Sequence, residues 1–335
     1  MGISPFFPKA FKSFTWVLAL LLLLACIVPY VRIPAFAFLS LTVPLLVILN
    51  VISFLLWLLF KRNVLWHVLV ALVLGYASLG SFVRFHNADA PQMPDGLKVM
   101  SYNVQGFFNQ DDDRRLHVCQ EISLFVTEQD PDIICFQEYS RIIKKRLSVY
   151  PFVSHTDYSR EKSDQGIYSK YPIIAEGSLG FPNTGNSAIY ADILFKGDTL
   201  RVYNVHLESL KVRPGNLKRE QSTKLFGRLE DSFAKQYIQA ELLREHAERS
   251  PYPNIFCTDL NNNQFSYTYK TIKGRMTDTF SEKGYGYGRT IDFWRFPLRI
   301  DFILVDPSIQ VQEHRNYTIG LSDHEPIMAT LDIAK

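Results

Sequence analysis

The chain has 335 residues, with 36 Lys+Arg against 33 Asp+Glu and a formal net charge of +3, so bulk charge selects no class of partner. Its four cysteines, Cys26, Cys119, Cys135 and Cys257, include no CxxC pair and no histidine at zinc spacing, which excludes a disulfide framework and a zinc site. Nearly all the apolar excess lies before residue 85, and the roughly 240 residues that follow suit one large α/β domain or two small ones.

Phe14 to Tyr30 reads FTWVLALLLLLACIVPY, Ala35 to Phe60 is apolar apart from Ser, Thr, Pro and Asn50, and Val64 to Val83 is broken only by His67 and small residues. A helix needs about 20 apolar residues to cross a hydrocarbon core. Residues 1–86 are therefore expected to form a membrane anchor of three transmembrane helices, about 13–31, 35–60 and 64–84. Lys9, Lys12 and Leu24-Ala25-Cys26 also suit a cleaved signal peptide, but two further spans argue for retention. Lys9, Lys12, Lys61 and Arg62 on one side against Arg32 on the other put the N-terminus in the cytoplasm. Three crossings then make this an integral membrane protein with everything after Arg84 on the extracytoplasmic face. Asn50 and His67 lack acidic partners, so hydrogen bonding between helices suits them better than transport.

Residues 87–96, with Pro91, Pro94 and Gly96, read as a linker. Leu97 to Val104 alternates as a strand, Arg114 to Gln129 has helical spacing, and Asp132 to Phe136 is a short apolar strand ending in Gln137-Glu138. Ser187–Phe195 and Thr199–Leu207 form an expected antiparallel pair through Gly197-Asp198. A helical region covers about Glu220 to Arg249; Pro253–Cys257, Arg299–Leu304 and Ile327–Ile333 are further strands.

Asn103, Glu138, His206, Asp259, Asn261, Asp301, Asp323 and His324 each sit at or near the end of an apolar run. Packed strands would bring these ends to one rim. Carboxylates and an amide oxygen suit a hard divalent ion such as Mg²⁺, and imidazoles with amides suit phosphate oxygens. There is no P-loop and no serine nucleophile elbow, which leaves metal-assisted attack by water.

In order, SYNVQG, the Gln137-Glu138 strand end, GIYSKYPI, NVHL, TDLN, RIDFIL and SDH resemble the endonuclease/exonuclease/phosphatase superfamily, which includes deoxyribonucleases, abasic-site endonucleases, sphingomyelinases and inositol-phosphate phosphatases. The resemblance covers about Leu97 to Ile333, and TDLN departs from the family's common Gly-Asp-Phe-Asn while keeping Asp259 and Asn261. It implies that residues 97–335 fold as an α/β, four-layered αββα sandwich with two mainly antiparallel sheets. It further implies that Glu138 is the principal Mg²⁺ ligand, with Asn103 and Asp323 completing the shell and Mn²⁺ or Ca²⁺ as substitutes. Asp259 would orient or deprotonate the attacking water, Asn261 would hold the phosphate, and His206 and His324 would donate to the phosphoryl oxygens. Asp301 would fix the tautomer of His324.

The expectation is a membrane-anchored, metal-dependent phosphoesterase, nuclease-like on phosphodiester bonds. The alternative is a phosphatase or phospholipase-like enzyme acting on lipid head groups or inositol phosphates, and a catalytically inactive binding module is a further reading that the intact acid and imidazole set disfavours. Lys211, Arg213, Lys218, Arg219, Lys224 and Arg228 could follow a nucleic-acid backbone, meet anionic head groups, or form a solvated face balanced by interleaved acids. Tyr285, Tyr287, Phe293, Trp294 and Phe296 suit base stacking, insertion among head groups, or core packing. The bilayer is the partner of residues 13–84, and no protein partner is inferable.

Overall fold

The computed structural model describes residues 6–59, 63–81, 83–85, 96–107, 112–156, 164–211, 222–293 and 296–333. Lys61, Arg62, most of the expected linker, Arg213, Lys218, Arg219 and Trp294 lie outside the described residues.

The N-terminal third forms α1 (Phe6–Ala25), α2 (Phe38–Leu59) and α3 (Val64–Leu79). Leu18, Leu22 and Ala25 of α1 bury against Leu39, Val43 and Leu46 of α2. Asn50 donates through Nδ2 to Leu18 O at 3.1 Å, the interhelical role its isolation from acids suggests. Trp57 Nε1 donates to Thr15 Oγ1 at one end of the bundle and Ser78 Oγ to Cys26 O at the other, so α3 runs parallel to α1 and α2 runs back between them. The bundle exposes Phe14, Leu20, Ile48, Leu55, Val70 and Val73.

Among the described residues two helical segments, not the expected three, are long and apolar enough to cross a bilayer: Lys9–Tyr30 with 22 residues and Pro34–Leu59 with 26. The third apolar run gives a helix of only 16 residues, about 24 Å by helical rise. It stops because Gly80 takes φ 74 and returns its N–H to Tyr76 O, although apolar composition continues to Val83.

The chain then forms β1 (Arg84–Phe85), β2 (Leu97–Asn103), α4 (Asp112–Gln129), β3 (Ile133–Gln137), β4 (Phe152–His155), β5 (Gly166–Ser169), β6 (Ile173–Gly180), β7 (Ser187–Phe195) and β8 (Asp198–His206). After α5 (Ser222–Glu248) come β9 (Asn254–Asp259), α6 (Tyr267–Lys273), β10 (Thr277–Asp278), α7 (Thr279–Lys283), β11 (Tyr285–Gly286), β12 (Ile291–Phe293), β13 (Phe296–Leu298), β14 (Asp301–Val305), β15 (Gln310–Asn316) and β16 (Ile327–Asp332).

Two six-stranded sheets run in the orders β15-β16-β2-β3-β5-β4 and β10-β14-β9-β8-β7-β6. Both are mixed rather than purely antiparallel, each of the expected mainly antiparallel sheets containing one parallel pair: β2–β3 and β8–β9 are parallel and the other pairs antiparallel. Parallel neighbours require a crossover, and α4 and α5 are those crossovers. The β7–β8 pair turns through Lys196 and Gly197, both at positive φ, as the Gly197-Asp198 signal indicates.

Alternation assigns the layers. Leu97 and Val99 face Ile189, Val202, Ile255 and Ile303 between the sheets, while Met100 and Tyr102 turn outward under Cys119, Ile122 and Val126 of α4. Tyr203, Phe256 and Phe302 pack under Leu243 of α5 and Ile272 of α6. Each fully buried aliphatic or Phe side chain contributes roughly 1.5–3 kcal/mol relative to exposure.

The turn between α1 and α2 rests on the domain built from the two sheets. Ala37 packs with Phe233 and Tyr237 of α5, Arg32 Nε lies 2.8 Å from Glu241 Oε1, and the Lys270 ammonium sits 5.0 Å from the Tyr30 ring centroid. Strand β1 pairs with β11.

Candidate active site

Register alone aligns three of the expected residues. His206 of β8 is the lateral partner of Asp259 of β9, which is the antiparallel partner of Asp301 of β14. Lateral partners share a face of a sheet, so an imidazole and two carboxylates stand in a row at one strand-end rim. In the other sheet Asn103 pairs with Gln137, and the next residue, Glu138, takes φ 45. Gln105 and Asn261 also adopt left-handed backbone, at φ 46 and 48. Such conformations in non-glycine residues cost about 1–3 kcal/mol each and persist where surrounding structure holds them.

The side chains converge. Asn103 Nδ2 donates to Glu138 Oε1 at 3.2 Å and to Asp259 Oδ2 at 2.8 Å. His206 Nε2 lies 3.5 Å from Glu138 Oε1 and 3.7 Å from Asp259 Oδ2. His324 Nε2 is 3.8 Å from that same Asp259 oxygen, while its Nδ1 is 3.0 Å from Asp301 Oδ2. Thr290 fixes this corner: its Oγ1 accepts from Asp301 N, and its carbonyl accepts from Glu325 N beside His324.

Burial disfavours a charged His324 ring, but the charges of Asp301 and Asp259, the hydrogen bond to Asp301 and the charge of Asp323 push it up to about 10. Burial pushes the Asp323 carboxyl above its ordinary value, with Glu138 and Asp259 adding to the shift and His324 opposing it. The centre thus sets an imidazole whose charged form is favoured beside four carboxyl groups, those of Glu138, Asp259, Asp301 and Asp323. That excess of negative charge and oxygen donors fits a hard divalent cation.

Among the described residues, the ligand atoms of Asp259, Asp301 and His324 lie within 4.8 Å of one another. Asn103 Oδ1 accepts from Gln105 N, and its amino group faces the carboxylates. Asn261 donates its backbone N–H to Asp259 Oδ1 and its Nδ2 to Leu207 O, bracing Asp259 from behind. Asp323 is oriented by Gln105 Nε2 at 2.9 Å, and Ser322 Oγ donates to Asn103 O.

Gln105 is a positioning residue that sequence reasoning passed over, although it lies within SYNVQG. A second such group is a buried amide layer beneath the rim. Gln137 Nε2 donates to Asn204 Oδ1 at 2.7 Å across the two sheets, and Asn204 Nδ2 donates to Phe136 O and Gly166 O. Gln165 Nε2 donates to Asn204 O, and Gln165 Oε1 accepts from Ser187 Oγ. Polar residues at otherwise apolar strand positions, one or two before Glu138 and His206, were the available signal.

The model of the Endonuclease/Exonuclease/phosphatase family matches residues 100–324, and a domain of unknown function (DUF8431) matches residues 8–82. No curated protein matches. Among solved structures, the endonuclease/exonuclease/phosphatase from Bacteroides vulgatus is 18% identical with a TM-score of 0.55, over 71% of this chain and 99% of that one. D. rerio TDP2 complexed with single strand DNA product is 17% identical with a TM-score of 0.55, over 70% and 98%. The mannosyl-6-phosphatase Bt3783 of Bacteroides thetaiotaomicron VPI-5482 is 18% identical with a TM-score of 0.53, over 70% and 99%. Likeness at this identity is likeness of fold, and the neighbours themselves differ in the phosphoester they are named for. With its model matched over more than half of the sequence, the chain belongs to the endonuclease/exonuclease/phosphatase family, whose members hydrolyse phosphoester bonds.

Proposed function

We propose that the protein is a membrane-anchored, divalent-metal-dependent phosphodiesterase that hydrolyses its substrate by direct attack of water. The observation that carries this reading is the position of Asp259: fully buried, held by Asn103 and the Asn261 backbone, and 3.7–3.8 Å from the Nε2 atoms of both His206 and His324. A water at that carboxylate would be oriented and deprotonated by it. His206 and the charged His324 would donate to phosphoryl oxygens as negative charge develops, with Asp301 holding the His324 proton on Nδ1. Glu138 and Asp323 would hold the ion, with Asn103 aligning Glu138. Mg²⁺ suits this oxygen set, and when bound it supplies charge neutralisation to the phosphoryl group.

The chain divides into an anchor over residues 1–86, a linker over 87–96 and a catalytic domain over 97–335. The contact of the α1–α2 turn with Glu241 and Asn263 supports a domain on the side of the membrane opposite the N-terminus. Lys9 and Lys12 at the start of the first apolar helix support a cytoplasmic N-terminus.

The test is hydrolysis of bis(4-nitrophenyl) phosphate by the full chain in detergent with Mg²⁺ or Mn²⁺, repeated with EDTA and with Glu138→Ala and His324→Ala. Loss of turnover in all three is expected. Undiminished turnover in both variants overturns the assignment.

A further inference from the structure

Two of the contacts between the anchor and the domain border the candidate centre. The first is the loop that leaves β9. Asn263, four residues after Asp259, is buried and donates through Nδ2 to Ser40 O at the start of α2, at 2.8 Å. Phe265, two residues on, is buried among Leu18, Leu22, Leu39 and Val43 of the helical bundle. The loop that supplies Asp259 and Asn261 therefore ends inside the anchor.

The second contact is the β1–β11 pair, which puts Phe85 opposite Tyr285. Three residues separate Gly286 from Thr290, whose hydroxyl and carbonyl fix Asp301 and Glu325. Phe85 and Tyr285 are 81% and 67% exposed, a pair of aromatic side chains at the point where the chain leaves α3. Aromatics in that position are typical of a membrane interface.

Helix α5 gives the direction. Gln236 Nε2 donates to Glu208 O and Leu260 O, which sets Gln236 level with the ends of β8 and β9. Since α5 descends from that end, its first 14 residues rise past the rim by about 21 Å. That raised part carries Phe226, whose ring meets Phe38 of α2 at 5.9 Å. The mouth of the centre and the entry of the helices into the bilayer thus lie on the same side of the domain.

We infer that the rim carrying Glu138, His206, Asp259 and His324 faces the bilayer, and that the phosphodiester it hydrolyses is the head group of a membrane lipid. The inference rests on the phosphodiesterase reading above. A lipid presents its phosphate at the depth of the anchoring interface and needs no clearance, whereas a long stiff polyanion would have to pass between the domain and the membrane. The chemistry balances as hydrolysis: water oxygen forms a new bond to phosphorus, one ester P–O bond breaks, and the displaced alcohol takes the water proton. The products are a phosphomonoester and an alcohol.

The experiment uses the full chain reconstituted into vesicles of phosphatidylcholine, phosphatidylethanolamine, phosphatidylglycerol and sphingomyelin with Mg²⁺, with lipid products followed by mass spectrometry. Bis(4-nitrophenyl) phosphate and a single-stranded oligodeoxynucleotide are supplied in parallel. At least one lipid is expected to turn over about tenfold faster than the oligonucleotide. The double variant Phe85→Ser/Tyr285→Ser should lower lipid turnover several-fold and leave the aryl diester rate unchanged, which also shows that it folds. Turnover of the aryl diester with no lipid hydrolysis, or an oligonucleotide cut as fast as any lipid, overturns the lipid inference and leaves the phosphodiesterase reading standing. Metal-dependent turnover of none of the substrates overturns both. Equal loss on lipid and aryl diester in the double variant would make the two aromatics structural and remove the bilayer-facing argument.

Discussion

His324 Nδ1 lies 3.0 Å from Asp301 Oδ2, a contact that joins the last loop of the chain to the first residue of β14. The geometry assigns the proton of Nδ1 to this bond and turns Nε2 toward Asp259. Asp301→Asn keeps the shape and removes the charge that favours the imidazolium. We expect kcat on an aryl phosphodiester to fall by about 10²- to 10⁴-fold, the range for a positioned acid–base group, with little change in KM. A fall in kcat/KM carried by KM alone would show that Asp301 serves binding instead.

Gln105 donates to Asp323 Oδ2 and has no charge of its own. Gln105→Leu should leave Asp323 present and misaligned. Because groups that orient ligands typically change metal affinity by about 10–100-fold, the Mg²⁺ concentration for half-maximal rate should rise by that order, and saturating Mg²⁺ should restore most of kcat. A kcat loss that Mg²⁺ does not restore would place Gln105 at the substrate.

Asn204 occupies the centre of the amide layer, with Oδ1 on Gln137 and Nδ2 on two backbone carbonyls. Asn204→Leu leaves those buried groups unpaired, at about 1–3 kcal/mol for each one left unsatisfied. A marked drop in thermal unfolding temperature is expected, along with lost turnover, because Glu138 and His206 lie one and two residues beyond the layer. An unchanged unfolding temperature would mean the carbonyls find other donors.

The rim was legible because each acid, amide or imidazole ends a run of apolar residues, and a buried strand has few reasons to end in Glu138 or Asp259 except to present them. Layer and direction were less legible. A hairpin and a crossover both join two apolar runs, so nothing within β2 and β3 distinguishes parallel from antiparallel pairing; only the helix between them does. Asn204 reads as an interruption of a strand until its partner Gln137, 67 positions away, is across the sandwich from it. Likewise Gly80 ends α3 through one backbone angle while the surrounding composition still favours a longer helix.

His314 offers a test of folding electrostatics away from the rim. It is buried in β15, with Nδ1 2.7 Å from Thr279 Oγ1, and the charged groups near it are Asp278 and Arg299. Burial, which Arg299 reinforces and Asp278 opposes, lowers its pKa from the ordinary 6.5 to about 4. A lowered pKa means that the unfolded chain takes up this proton first as pH falls. The stability that the neutral ring carries is therefore complete above pH 6.5 and is lost progressively down to about pH 4. At about 1.4 kcal/mol per pH unit the loss is on the order of 3 kcal/mol. His314→Gln, which keeps a hydrogen-bonding side chain and cannot titrate, should flatten the fall of unfolding temperature over that interval in the full chain. Identical pH profiles for the two proteins would show that acid sensitivity between pH 6.5 and 4 comes from other groups.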